Sequence, residues 1–169
     1  MDHHRVSTRR VALTSLSMAA ADPAHFRKLE HMYASAPVNA TIHSRIEVGE
    51  GRATVRIETG PDLWHAARSL HGSMYFKGLD DAAFFAANSA VPDVFVLTAH
   101  FAVDLLAPVT TAQIRGEGRL DEREGKKLHA SAELFDADGN LVARGKGLFI
   151  ASRVRLATID SYRLPAERG

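Results

Sequence analysis

The spacing of apolar residues changes repeatedly along the chain, and each change predicts an element. From Asp22-Pro23 to Ala34, Phe26, Leu29, Met32 and Tyr33 recur at helical spacing, behind a capping aspartate and a proline suited to the first helical position; Pro37 is expected to stop this helix. From Ala40 the period falls to two. Ile42, Ser44, Ile46 and Val48 face one way against His43, Arg45 and Glu47, Gly49-Glu50-Gly51 turns the chain, and Ala53, Val55, Ile57 and Thr59 repeat the alternation, which predicts a β-hairpin. Residues 60–70 carry Gly60-Pro61-Asp62 and no period, and read as a loop.

Residues 72–90 return to helix chemistry, with Ala82, Ala83, Ala86, Ala87 and Ala90 and no proline until Pro92. Phe76, Leu79, Phe84 and Phe85 are distributed around this helix, so it is expected to be buried on most sides. Strands are predicted over 94–106, 112–120, 127–135 and 141–150, the last two joined by a turn at Asp136-Ala137-Asp138-Gly139-Asn140. The order argues an α+β fold in which a curved antiparallel sheet wraps one long central helix. Short connections between Ile114 and Phe149 leave no room for crossover helices, and no glycine-rich phosphate fingerprint is present, so a Rossmann or P-loop domain is excluded.

Residues 21–151 are expected to form one domain, with 152–169 as a C-terminal extension. Residues 1–20 hold three arginines and one acidic residue among Ser and Thr. We favour a flexible tail, with translation starting at Met18 as one form of it, over a targeting segment.

Composition narrows the function. Lys and Arg number 21 against 20 Asp and Glu in 169 residues, so there is no basic surplus for a dedicated nucleic-acid binder. The absence of cysteine removes thiol nucleophiles and Cys-type zinc sites. His25 and His31, and likewise His65 and His71, are six apart, which is not helical ligand spacing, so no metal is expected. No apolar run approaches the roughly 18 residues that span a bilayer, and we expect a soluble protein.

The chemistry concentrates at Leu70-His71-Gly72-Ser73-Met74-Tyr75-Phe76-Lys77-Gly78-Leu79-Asp80-Asp81-Ala82. A carboxylate in an apolar helix is costly to bury unless it is paired or used. Adjacent residues point about 100° apart on a helix, so Asp80 and Asp81 cannot share one environment. The start of that helix offers free backbone N–H groups and a positive dipole end suited to an oxyanion; Gly72 admits close approach and Ser73 adds a hydroxyl. The structural alternative is that His71 or Ser73 caps the helix and Asp80 bonds a neighbouring loop.

This stretch resembles the signature of hotdog-fold acyl-CoA thioesterases of the PaaI-like, phenylacetate-pathway type. There a His-Gly-Gly opens the long helix and an Asp follows nine positions after the His, as His71, Gly72 and Asp80 do here. Asn88 also recurs in relatives. Leu97-Thr98-Ala99-His100-Phe101 through Leu106-Ala107-Pro108 is similar to the family's next strand, and Leu134 to Ala143 to its aspartate-glycine hairpin. Ser73 replaces the second glycine, and His65 stands where many relatives carry an Asn.

The resemblance implies hydrolysis of an acyl-CoA thioester without a cofactor, in the cytoplasm. Gly72 N–H would be the oxyanion donor and Asp80 the general base or nucleophile. Thr98 would hold the water or carboxylate, His65 and His71 would serve orientation, and Ser73, Phe76 and Asn88 would contact substrate. Arg68, Lys77, Lys126 and Lys127 are candidates for the CoA phosphates. Gly72 and Asp80 lie about 12 Å apart along one helix, too far for one carbonyl to touch both, so they are expected to come from different subunits of a homodimer, itself open to pairing as a dimer of dimers. The alternative from another class is a non-catalytic acyl-CoA-binding sensor on the same fold.

Overall fold

A computed structural model of the chain describes residues 22–165. The N-terminal tail read from residues 1–20 and the last four residues lie outside that range. Helix α1, Pro23–Ser35, opens as expected, with the Asp22 side chain accepting from Ala24 N–H at 2.9 Å. Pro37 does not merely stop it. It takes the first turn of a second short helix, α2, Pro37–Ile42, because a residue without an N–H loses nothing there. The strand expected from Ala40 therefore begins later, after His43 turns the chain at φ 50°.

Six antiparallel strands follow: β1 Ser44–Gly49, β2 Arg52–Glu58, β3 Val94–Leu105, β4 Gln113–Glu124, β5 Lys127–Asp136 and β6 Leu141–Arg155. Their order across the sheet is β1-β2-β4-β5-β6-β3. The long helix α3, Gly72–Asn88, follows β2 and lies in the concave side of the sheet. This is the α+β arrangement expected, a curved antiparallel sheet around one helix.

At two glycines of β4, helix and sheet meet backbone to backbone. A Cβ built on Gly118 would run into the Ala82 carbonyl of α3, and one on Gly116 into the carbonyl of Gly78. Gly78 reciprocates, since its own Cβ would sit 2.8 Å from Leu134 Cδ1. Around this contact Leu79, Ala82, Ala83, Ala86 and Ala87 of α3 are buried with Val55, Ile57, Ile114, Leu134 and Phe149 of the sheet. Gly118→Ala is expected to destabilise the protein by about 3 kcal/mol, read as a lowered urea midpoint, because the clash is with backbone, which cannot rotate away.

The two edges of the sheet differ. On β1 the Val48 N–H donates to Glu30 Oε1 of α1 at 2.8 Å, so a helix covers that edge. On β3 the outer edge has no strand beside it among the described residues. The chain after β6 is drawn onto α1: His25 is buried, with Nδ1 2.6 Å from the Tyr162 hydroxyl and Nε2 3.0 Å from the Asn88 carbonyl. Burial lowers the His25 pKa, which keeps it the neutral link of this tie.

Candidate active site

The two adjacent carboxylates on α3 have opposite fates. Asp81 turns toward α1 and α2, where Oδ2 accepts from Lys77 Nζ at 2.5 Å and from the Tyr33 hydroxyl at 2.9 Å, while Lys77 Nζ also donates to Asn39 Oδ1 at 2.7 Å. Asp80 turns toward β3, and its Oδ1 accepts from Thr98 Oγ1 at 3.1 Å. No cation pairs with Asp80 among the described residues. Burial pushes its carboxyl up to about 6, although the Thr98 hydrogen bond favours the charged form and pulls the other way. One turn before Asp80 on the same face, Phe76 stands edge-on to Phe101 of β3 at 5.7 Å; one turn after it, Phe84 packs against Phe95 and Phe149.

The start of α3 forms the second group. His71 is the N-cap, and its Nδ1 accepts the Ser73 N–H at 3.2 Å and lies 2.8 Å from Ser73 Oγ. Both side chains thus serve the helix end. The Gly72 N–H, first in the helix, has no acceptor among the described residues. It opens onto a cleft of about 360 Å³ lined by His65, Ser69, Gly72, Tyr75, Leu105 and Pro108, among others. A larger groove of about 580 Å³ runs over the charged face of the sheet among Arg119, Glu133 and Arg144, and touches none of these residues.

The structure therefore brings together Asp80, Thr98 and Phe76 in one place and Gly72, His71, Ser73 and His65 in another, and the two places are separated by two turns of α3. Three expectations change. Asn88 does not face a substrate: it is fully buried, with Nδ2 donating to the Val91 and Val94 carbonyls and Oδ1 accepting from Val96 N–H, so it braces the passage from α3 into β3. Lys77 is not free for a phosphate, because Asp81 and Asn39 hold its ammonium with 13% of the side chain exposed. His65 does not offer a free donor, since Nδ1 accepts from Ala67 N–H at 3.1 Å and Nε2 lies 2.8 Å from Ser69 Oγ.

Ser69 and Tyr75 were missed. Both line the Gly72 cleft, and the Tyr75 hydroxyl donates to the Ala107 carbonyl at 3.0 Å. Tyr75 lies in the helix-opening stretch, where nothing in the spacing distinguishes it from its neighbours. Ser69 sits in a loop without period, where only its place two residues before His71 pointed to the helix end.

Residues 68–143 match the family model described as the thioesterase superfamily. No curated protein matches the chain by sequence. Among solved structures, a thioesterase family protein from Silicibacter pomeroyi superposes with a TM-score of 0.71 at 24% identity, over 75% of this chain and 97% of that one. The PaaI protein of the E. coli phenylacetic acid degradation operon superposes at 0.74 with 17% identity, over 80% and 99%, and PaaI of Thermus thermophilus at 0.63 with 18%, over 69% and 100%. Residues 68–143 are thus similar to the thioesterase superfamily, and the architecture is the hotdog fold that these solved structures share.

Proposed function

We propose that the protein hydrolyses acyl-CoA thioesters as a homodimer in which Gly72 of one protomer and Asp80 of the other act on the same ester. The observation that carries this reading is Asp80: half-buried, with no ion-pair partner among the described residues, raised to about 6, while its neighbour Asp81 takes the structural ion pair with Lys77. A carboxylate kept in that state gains nothing for the fold and has the proton affinity a base needs near neutral pH.

The steps follow from the groups present. The thioester carbonyl accepts from the Gly72 N–H at the positive end of α3, and the developing oxyanion strengthens that bond. Asp80 takes a proton from water as its oxygen attacks the carbonyl carbon. The tetrahedral adduct then expels the CoA thiolate with cleavage of the C–S bond, and the proton held by Asp80 returns to sulfur. Direct attack by Asp80, giving a mixed anhydride that water opens, uses the same geometry; single-turnover hydrolysis in ¹⁸O water, with mass analysis of the Asp80 peptide, separates the two.

The dimer reading rests on β3. Its edge is open where that of β1 is covered, and Leu97, Leu105 and Leu106 at the strand and its end, with Phe76 beside it, are about half exposed. A long apolar edge strand of this kind is stable in water when another strand pairs with it, and a second copy related by a two-fold axis presents the same surface in return. Antiparallel pairing across β3 sets the start of one α3 opposite the middle of the other. CoA phosphates then fall to exposed cations such as Arg68, Lys126 and Lys127.

The test is thiol release from short, long and aromatic acyl-CoAs. Turnover with at least one class is expected; tight binding of acyl-CoA with the ester left intact would overturn hydrolysis in favour of a sensor. In the active form kcat/KM should fall on the acid side with a pKa near that of Asp80. Thr98→Val removes a hydrogen bond to the charged form, so this limb is expected to move to higher pH by on the order of half a unit to one unit, with a smaller change in rate at pH 8.

A further inference from the structure

The cleft at the start of α3 contains a second uncommitted donor. His65 Nδ1 accepts from the Ala67 N–H, which puts the ring proton on Nε2, and Nε2 lies 2.8 Å from Ser69 Oγ. His65 therefore donates to the serine. A hydroxyl that accepts from a fixed donor still has its own proton to give, and no acceptor among the described residues takes it. The same proton on Nε2 prevents His65 from acting as a base toward Ser69, so the pair is not a nucleophile and its activator.

The loop that carries the hydroxyl is held at each step. His65 N–H donates to the Ser69 carbonyl at 2.9 Å and Arg68 N–H to the His65 carbonyl at 2.8 Å, closing a tight turn with Arg68 at φ 64°. Leu70 N–H is anchored on Val109 and His71 N–H on Leu63. Ser69 lines the same cleft as Gly72. The other hydroxyl of that cleft, on Tyr75, is spent on the Ala107 carbonyl. Among the described residues lining the cleft, the Gly72 N–H and the Ser69 O–H are donors left for a ligand.

A carbonyl oxygen has two lone pairs, and a tetrahedral oxyanion is best held by two donors fixed before it forms. We infer that the Ser69 hydroxyl gives the second hydrogen bond to the thioester carbonyl oxygen, and that His65 is a positioning residue that aims this hydroxyl without touching the substrate. The inference rests on the proposed docking of the ester carbonyl at Gly72.

Two measurements test it. With the best acyl-CoA of the thiol-release screen, Ser69→Ala is expected to lower kcat/KM by about 10²-fold, mostly in kcat, and Ser69→Thr, which keeps the hydroxyl, to recover most of the loss. His65→Ala is expected to cost about tenfold alone and almost nothing in the Ser69→Ala background, because its effect passes through the serine. The second measurement is the infrared carbonyl band of a bound acyl-CoA analogue in which CH₂ replaces the ester sulfur. The band should shift to lower frequency on binding wild type and move part of the way back in Ser69→Ala. A Ser69→Ala protein with wild-type kcat/KM and an unshifted band relative to wild type would overturn the inference. The band reports the hydrogen bond whether or not esters are cleaved, so a wild type that shifts it but releases no thiol overturns hydrolysis alone and leaves the role of Ser69 standing.

Discussion

Asp80→Asn is expected to reduce thiol release by about 10³-fold or more and, at the same time, to make the protein more stable. The first effect follows from losing the base while keeping shape and the hydrogen bond from Thr98 Oγ1, which asparagine Oδ1 accepts equally well. The second follows from the sign of the shift. A free aspartate titrates near 4, whereas burial holds Asp80 at about 6, so the folded state binds the proton more tightly than the unfolded state. Stability is therefore lost as pH rises from about 4 through 6, and above that range the ionised side chain is a constant burden on the fold. With the group partly solvated, its removal is expected to add on the order of 1 kcal/mol at pH 8, or a few degrees in Tm, and close to nothing at pH 4. Thermal melts at the two pH values, beside thiol-release rates, check both halves. An Asp80→Asn protein that hydrolyses at the wild-type rate would rule out both base and nucleophile catalysis by this carboxylate.

The second large effect concerns who supplies what. Gly72→Pro deletes one N–H and little else: proline is favoured at the first helical position, His71 before it already has the extended backbone (φ −66°, ψ 140°) that proline requires, and a Cβ at residue 72 meets only Leu105 Cδ1 at 3.8 Å. The variant is expected to fold normally and to lose about 10²–10³ in kcat. Mixed with Asp80→Asn protomers under conditions that exchange subunits, it should regain activity. In each hybrid dimer one centre combines both substitutions and is dead, while the other pairs Gly72 with Asp80 and is whole. Random mixing makes half the dimers hybrid with half their centres intact, so recovery to about a quarter of wild type is expected. If both groups acted within one chain, mixing would restore nothing.

Much of this frame is legible in the sequence. The period of two in 44–49 and 52–58, and the small-and-apolar run that became α3, survive because local pattern and tertiary burial ask for the same residues there. The exceptions have physical causes. Strand β4 continues through the charged Asp121–Glu124, where no alternation exists, because pairing with β5 carries it to the turn at Gly125. Strand β6 likewise runs to Arg155, past the expected end at Ile150, on the strength of its partner β3.

The site divides similarly. That Asp80 and Asp81 must face different ways followed from helical rotation. Which one is paired is only partly legible: Lys77 stands four residues before Asp81 on the same helix, a spacing that favours the pair, whereas Tyr33 and Asn39 reach it from α1 and α2. Asn88 is assigned to substrate by the resemblance alone, and recurrence of an amide does not tell a small-molecule contact from a brace on three pieces of backbone. Ser69 acquires its interest from one ring nitrogen of His65, a contact across a turn that no spacing rule encodes.

The direct seating of α3 on Gly116 and Gly118 has a bearing on how the site can respond to a ligand. Where backbone rests on backbone at these two glycines no side chain intervenes to yield, so a roll or a slide of the helix along the sheet is opposed there. The acid and the amide end ride on a single rod, so under the proposed dimer and substrate any adjustment to a bulkier acyl group is expected from the 60–70 loop or from the way protomers settle against each other. Specificity in this molecule is thus expected to evolve at its loop and its seam, with the rod left alone.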